Sequence, residues 1–314
     1  MRKAKLLSIV VPCHNEEEVL RETNSSLKQN LEELLKTAKI ADYEILYVDN
    51  GSTDKTLSVL QEIFSKDTKV KIYSLRKNFG YQGSISAGLF YSTGDIVITI
   101  DADLQDPPEK IKDMVDFYEK GFDLVLGIRE KRGTDSFFKR LFAQNYYRLL
   151  KIIKVPVVYN HGDFRLMSRS LVDEFNTLAE RNRFIRAMIL QLESRYAQVF
   201  YERRSREKGR SKFSVSSLFS LGMDGIISFS YIPLRLASLI GVLFFFFGLA
   251  GALWVLYIKI FSNSFPGWAS IMLPMLIIGG LQLFFMGLIG EYIGRLYVEI
   301  KHRPLFLVRE KYIH

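Results

Sequence analysis

Asp101-Ala102-Asp103 places two carboxylates two residues apart, directly after the β-branched run Ile96–Ile100. Where a chain turns out of a sheet, alternate residues can project toward one edge. The pair therefore offers oxygen ligands to a hard divalent cation. Mg²⁺ and Mn²⁺ suit such a site, because they use one or two carboxylates and add substrate phosphates. Gln105-Asp106-Pro107-Pro108 then turns the chain toward a helix, with proline suited to the first helical position. An isolated Asp-x-Asp is common as a solvated acidic turn, so its place at a strand end is what gives it weight. Asp49-Asn50-Gly51-Ser52-Thr53-Asp54 occupies the equivalent place after another strand. A carboxylate there can bond a nucleoside, and Gly51 lets the backbone turn closely around it. Ser52 or Thr53 can also cap the next helix, and both readings can hold together.

These groups need elements to position them. Leu6–Val11 reads as a buried strand closed by Pro12, with Asn15 as the N-cap of a following helix. Strands at Tyr43–Val48, Val70–Leu75, Ile96–Ile100 and Leu124–Leu126 alternate with helices at Thr53–Phe64, Gln82–Tyr91 and Glu109–Glu119. That alternation predicts an α/β fold with a mainly parallel, doubly wound, Rossmann-like sheet. Ligands bind such sheets at the carboxyl ends of the strands, where Asp49, Asp101 and Asp103 fall.

Composition divides the chain. Charges are scattered up to about Arg210, whereas Leu236–Ile258 and Ile260–Gly290 carry none. The net charge of +9 is concentrated in Lys208–Lys212 and after Arg295, beside the apolar segments. Anionic headgroups and a phosphate-bearing ligand suit that placement better than nucleic acid. The lone Cys13 excludes an intramolecular disulfide, and His14, His161, His302 and His314 lack metal-ligand spacing. No signal peptide is read at the N-terminus.

Ser214–Phe229 has apolar residues at helical spacing on one face and mostly serine on the other, which predicts a helix lying in the membrane interface. Leu236–Ile258 and a stretch within Ile271–Ile289 are expected to cross the bilayer, which takes about 20 apolar residues. Phe265–Trp268 joins them, and Trp268 suits an interfacial anchor. Lys259 is the one basic residue between the crossings, whereas Arg295, Lys301, Arg303, Arg309 and Lys311 follow the second. The positive-inside rule then puts the N-terminal domain and the C-terminal tail in the cytoplasm. The expected organisation is a catalytic domain at 1–212, an interfacial helix and linker at 213–233, a transmembrane hairpin at 234–291 and a cytoplasmic tail at 292–314. That is a multi-pass protein of the cytoplasmic membrane.

Val10-Val11-Pro12-Cys13-His14-Asn15-Glu16-Glu17, Asp49–Asp54 and Asp101–Pro108 resemble, in order, the signatures of family 2 GT-A glycosyltransferases. Asp101–Glu109, Gly162-Asp163-Phe164-Arg165-Leu166-Met167-Ser168 and Arg206-x-x-Gly209-x-Ser211-Lys212 narrow the likeness. With the C-terminal apolar helices, they look like bacterial polyprenyl-phosphate glycosyltransferases of the bactoprenol glucosyltransferase type, and more distantly like dolichol-phosphate mannose synthases. The resemblance covers essentially the whole chain. It departs at Asn50, where the family often has a second acidic residue, which leaves Asp49 as the nucleoside-side carboxylate.

The resemblance implies a nucleotide pocket lined by Pro12, Asn15, Glu16 and Asp49, with Asp101 touching the nucleotide-sugar. Asp103, with Gln105, would hold Mg²⁺ or Mn²⁺ on the diphosphate, and Asp163 would stand with Asp101 and Asp103 as a catalytic carboxylate. Arg129, Arg132, Arg165, Arg206, Ser211 and Lys212 would face the acceptor phosphate or the donor diphosphate. The implied partners are a nucleotide-sugar, UDP-glucose first, then polyprenyl (undecaprenyl) phosphate and membrane lipids, with no nucleic acid. A homo-oligomer is also implied, of which a tetramer is one form. Because a phosphate monoester is largely dianionic at pH 7, the acceptor needs little help from a general base. Asp163 is then expected to orient the acceptor or stabilise developing positive charge rather than remove a proton. A processive polysaccharide synthase should carry a Gln-x-x-Arg-Trp segment, but Trp254 and Trp268 both lie in the apolar region. A non-catalytic lipid-binding scaffold would leave Asp101, Asp103 and Asp163 without a role.

Overall fold

The computed structural model describes residues 3–130, 156, 158–181, 183–204, 232–261 and 267–314. The chain divides into two units, Met1–Ser217 with Arg303–His314, and Leu218–His302. The first is built on one sheet. Its strands are β1 (Ala4–Cys13), β2 (Ile40–Asp49), β3 (Val70–Leu75), β4 (Ile96–Thr99), β5 (Leu124–Arg129), β6 (His161–Ser168), β7 (Tyr196–Tyr201) and β8 (Val308–Tyr312), in the order β7-β5-β6-β4-β1-β2-β3-β8. β3, β2, β1 and β4 run parallel, β6 is antiparallel to both β4 and β5, and β5 runs parallel to β7.

The last seven residues of β1 and of β2 are all buried, as expected for central strands covered on both faces. Helix α1 (Leu20–Lys36) buries Leu20, Leu27, Leu31 and Leu34, a stripe at helical spacing. Helices α2 (Thr56–Lys66) and α3 (Gly80–Tyr91) follow β2 and β3; α4 (Ile111–Glu119) follows a short turn of 3₁₀ helix. α3 packs unusually close to the sheet, because a Cβ at Gly88 would lie 2.1 Å from Val10 Cγ1. α5 (Arg169–Thr177) and α6 (Ile185–Leu192) lie between β6 and β7.

The parallel core matches the expected alternation, with differences at the element ends. Helix α1 starts at Leu20, so Asn15 is no N-cap. It adopts φ 54°, its amide donates to Ser52 Oγ and its side-chain oxygen accepts from Thr53 N. It ties the β1 turn to the β2 turn. Helix α2 starts at Thr56, so neither Ser52 nor Thr53 caps it; Asp54 Oδ1 accepts from Thr56 N instead. β6, β7 and β8 lie beyond the expected alternation. β8 comes from the C-terminal tail and pairs antiparallel with β3, Ser74 opposite Glu310.

The second unit contains α7 (Ile232–Phe261) and α8 (Trp268–Ile300). Within α8, Ile277–Ile300 is long and apolar enough to cross a membrane, and α7 contains the shorter apolar stretch Ala237–Gly251. Phe246, Phe247, Leu283 and Phe284 are all exposed in this unit. The expected interfacial helix, Ser214–Phe229, lies outside the described residues, and Ile232 and Pro233, expected in the linker after it, open α7.

Candidate active site

The carboxyl ends of the parallel strands converge on one edge. Cys13 pairs with Asp49 across β1 and β2, and Asn50 N donates to Cys13 O at 2.8 Å. Asp49 is buried; its carboxylate accepts from Ser52 N at 3.1 Å and Ser74 Oγ at 3.0 Å. Pro12 is the penultimate residue of β1, beside Val48, and Glu16 N donates to Thr56 Oγ1. The residues expected on the nucleotide side thus fall at the ends of β1 and β2 (Pro12, Asp49) and in the interlocked turns that follow them (Asn15, Glu16).

Asn50, which the resemblance left without a role, pins a third turn. Its amide nitrogen donates to Asn78 Oδ1 and Gly80 O at 3.1 Å, and its oxygen accepts from Phe79 N at 2.9 Å. Gly51 is required here: it has φ +64°, and a Cβ would lie 2.4 Å from the Lys77 carbonyl carbon.

Asp101 follows β4 by two residues. Because Thr99 pairs with Arg165 in the antiparallel β4–β6 ladder, Asp101 and Asp163 reach the same edge from opposite chain directions. Tyr81, in the first turn of α3, donates its hydroxyl to Asp101 Oδ1 at 2.5 Å. Withdrawal from water pushes the Asp101 carboxyl up to about 7; the charges of Asp106, Asp163 and Asp103 add to this and the Tyr81 bond opposes it. Asp103 lies one turn on, its Oδ1 accepting from Gln105 N. Asp101 and Asp103 offer only hard oxygen donors, and the like charges around Asp101 are of the kind a cation neutralises. This donor set fits Mg²⁺ or Mn²⁺. Among the described residues no cluster of three or more His, Cys, Asp or Glu could hold a metal alone, so substrate oxygens would complete the shell. Gln105, expected at the metal, presents its side-chain oxygen to Arg203.

Asp163 is clamped. Arg165 Nη2 donates to its Oδ1, and Arg186 on α6 donates through Nε to Oδ1 at 3.2 Å and through Nη2 to Oδ2. The two guanidinium groups hold its carboxyl well below the usual carboxylate range despite burial. Such a group is a poor proton acceptor. Arg165, expected at a substrate phosphate, is instead wholly buried beneath Asp163, where that carboxylate compensates its charge. Arg129, expected in the same role, is matched by buried Asp106 at 3.1 and 3.3 Å and donates through Nε to Tyr201 Oη. Tyr201 donates to Asp106 Oδ1 at 2.6 Å, so the three groups form a closed cluster bridging β5, β7 and the acidic turn. Arg132, Arg206, Ser211 and Lys212 lie outside the described residues.

Several members of the site escaped the sequence reading. Tyr81 and Arg186 sit on helices with no local motif to mark them. Asp106 stands in the sequence only as part of the turn after Asp103. His161 lacks metal-ligand spacing and so carries no expectation from the sequence. It is buried with neither ring nitrogen hydrogen-bonded, and burial together with Arg165 and Arg186 holds it well below its usual range, hence neutral. Its place immediately before the Gly162–Ser168 run was the available signal.

The edge thus combines an acidic floor suited to a cation and diphosphate with a carboxylate kept ionised by two arginines. The family model "Glycosyl transferase family 2" matches residues 8–175, and "GtrB C-terminal hairpin" matches residues 232–296. The uncharacterized glycosyltransferase YkcC of Bacillus subtilis is 40% identical over 307 residues, covering 97% of this chain and 94% of that protein. The bactoprenol glucosyl transferase of Shigella phage SfV is 38% identical over 307 residues, covering 97% and 98%. Among solved structures, glucosyl-3-phosphoglycerate synthase from Mycobacterium tuberculosis has a TM-score of 0.49 at 21% identity, covering 72% of this chain and 78% of that one. The chain belongs to glycosyl transferase family 2, with a GtrB-type C-terminal hairpin following its GT-A, Rossmann-like sheet.

Proposed function

We propose that this chain is an inverting glycosyltransferase that moves a hexose, from UDP-glucose, onto the phosphate of undecaprenyl or a related polyprenol at the cytoplasmic membrane. The observation that carries the reading is the pairing of the Asp101/Asp103 edge with an Asp163 locked by Arg165 and Arg186. A site with that carboxylate tied up as an ion pair suits an acceptor that is already an anion. A phosphate monoester has a second pKa near 6 and is such an acceptor. The names of the SfV and related relatives support the glucosyl and bactoprenol halves of the reading.

Asp49 and the interlocked turns at Asn15 and Ser52 bind the nucleoside. Asp101 and Asp103 would hold Mg²⁺ or Mn²⁺, which when bound neutralises charge developing on the departing diphosphate. Tyr81 keeps Asp101 oriented. Asp163, ionised throughout, stabilises positive charge on the sugar and orients the acceptor without taking a proton. Arg129, Asp106 and Tyr201 brace the wall of the acidic turn. Direct displacement at the anomeric carbon then gives a β-linked lipid phosphosugar from an α-linked donor. α7 and α8 are read as two crossings, with the first unit and the tail on the cytoplasmic side. The apolar stretches Ala237–Gly251 and Ile277–Ile300 and the exposed Phe246, Phe247 and Leu283 support that reading.

The test uses detergent-solubilised protein, undecaprenyl phosphate, Mg²⁺ or Mn²⁺, and separately labelled UDP- and GDP-sugars. Label should enter the lipid phase from UDP-glucose and be lost in Asp103→Ala. Transfer from a different donor corrects the sugar. Nucleotide binding without transfer from any donor favours the scaffold reading.

A further inference from the structure

The chain leaving α8 at Ile300 returns to the first unit through Arg303–His314. Phe306 packs on the small cluster Val48, Leu75 and Ala87, and Phe79 packs on the same cluster. The Phe306 ring stands edge-on to Phe90 and Tyr91 of α3, at 5.9 and 6.1 Å. Leu307 O accepts from Arg76 N at 2.9 Å. Leu307 thus holds the start of the segment linking β3 to α3, and Phe306 shares the apolar cluster on which Phe79, at the end of that segment, packs. The segment itself is largely exposed, and Gly80, which opens α3 directly after it, has φ +78°. Having little burial of its own, such a turn takes its conformation from its neighbours. One neighbour is Asn50, through Phe79 N and Gly80 O. The other is the C-terminal segment. The next residue is Tyr81, which bonds Asp101.

We infer that Phe306 is a positioning residue: with the backbone of Leu307 it holds the turn from Arg76 to Tyr81, and through it the Tyr81–Asp101 bond. The C-terminal tail is then part of the scaffold of the donor site. The positioning stands on the contacts alone, and its consequence for transfer rests on the proposed reaction.

The test is hydrogen exchange by mass spectrometry on the full chain in detergent, comparing the unaltered protein with Phe306→Ala, Phe306→Leu and His314→Ala. His314 belongs to the same tail but stacks on Phe64 of α2 at 3.8 Å. Amides 77–81 should exchange about 10-fold faster in Phe306→Ala, an opening more probable by that factor. Phe306→Leu should restore most of the protection, and His314→Ala should leave it unchanged. In the transfer assay, Phe306→Ala should raise KM for the nucleotide-sugar more than it lowers kcat. Unchanged exchange at 77–81 in Phe306→Ala, or equal acceleration in His314→Ala, overturns the inference. If no chain transfers sugar, the unaltered one included, the proposed reaction fails, while the exchange comparison still decides the positioning.

Discussion

Arg186 grips Asp163 across two elements far apart in the chain, donating through Nε to Oδ1 at 3.2 Å and through Nη2 to Oδ2. Arg165, two residues from Asp163 on the same strand, completes the clamp from below. A carboxylate between two guanidinium groups is held ionised far below neutrality. That relationship decides what Asp163 can do chemically, and the first prediction follows from it.

Asp163→Asn should lower kcat by at least about 100-fold, the loss of an electrostatic stabiliser worth roughly 3 kcal/mol. Its folded pKa is depressed, so Asp163 stays charged at every pH above its unfolded value near 4. The pH–rate profile between 5.5 and 9 should therefore show no ionisation from this residue. Recovery of Asp163→Asn activity on raising the pH would point to a lost general base and contradict the account.

Removing one partner of the clamp should also cost stability. Arg165→Met leaves the buried Asp163 with Arg186 alone, and breaking a buried pair costs about 3–5 kcal/mol. Thermal unfolding in detergent should show a clear fall in Tm. A variant as stable as the parent would mean that water reaches Asp163 and replaces Arg165.

Tyr81→Phe deletes the hydroxyl that donates to Asp101. A hydrogen bond to a charged group is worth about 1.5–3 kcal/mol, so kcat/KM should fall roughly 10- to 100-fold. Steady-state kinetics with the labelled donor measures this. An unchanged kcat/KM would show that the bond is absent when donor is bound.

Chelation with EDTA should abolish transfer, and Mn²⁺ or Mg²⁺ should restore it in the unaltered chain but not in Asp103→Ala. Full activity after exhaustive chelation would remove the cation from the reading of Asp101 and Asp103.

At the opposite end of the sheet, buried Glu44 accepts from Ser8 Oγ, Thr93 N and Lys71 Nζ. Burial alone would raise its pKa, but these partners outweigh burial and hold it below the usual range. Its contribution to stability is therefore present above its unfolded value near 4.3 and lost as pH falls through the lower folded value. Glu44→Gln should destabilise by about 1–3 kcal/mol at pH 7, with kcat unaffected. The difference in Tm between the two chains should shrink as pH drops below 4. A difference independent of pH would indicate altered packing.

Much of this molecule is written locally. The mostly apolar runs at Leu6–Val11, Tyr43–Val48 and Val70–Leu75 specify the parallel core, because a strand buried on both faces leaves few residue types open to it. Asp49, Asp101 and Asp103 are legible for the same reason: each follows a strand, and strand ends in such sheets are where ligands bind. Tertiary structure alone decided the rest. The clamp on Asp163 needs Arg186 from a helix with no motif, and the Tyr81–Asp101 bond needs α3 laid against β1 through Gly88. Asn50 looked like a departure from a pattern, yet its value lies in three bonds to a turn almost thirty residues on. The strand at Val308–Tyr312 sets three consecutive charged residues, Arg309, Glu310 and Lys311, between Val308 and Tyr312, and has no neighbour in sequence to pair with. Its role exists only because β3 presents an open edge to it, a pairing that the pattern of neither strand specifies by itself.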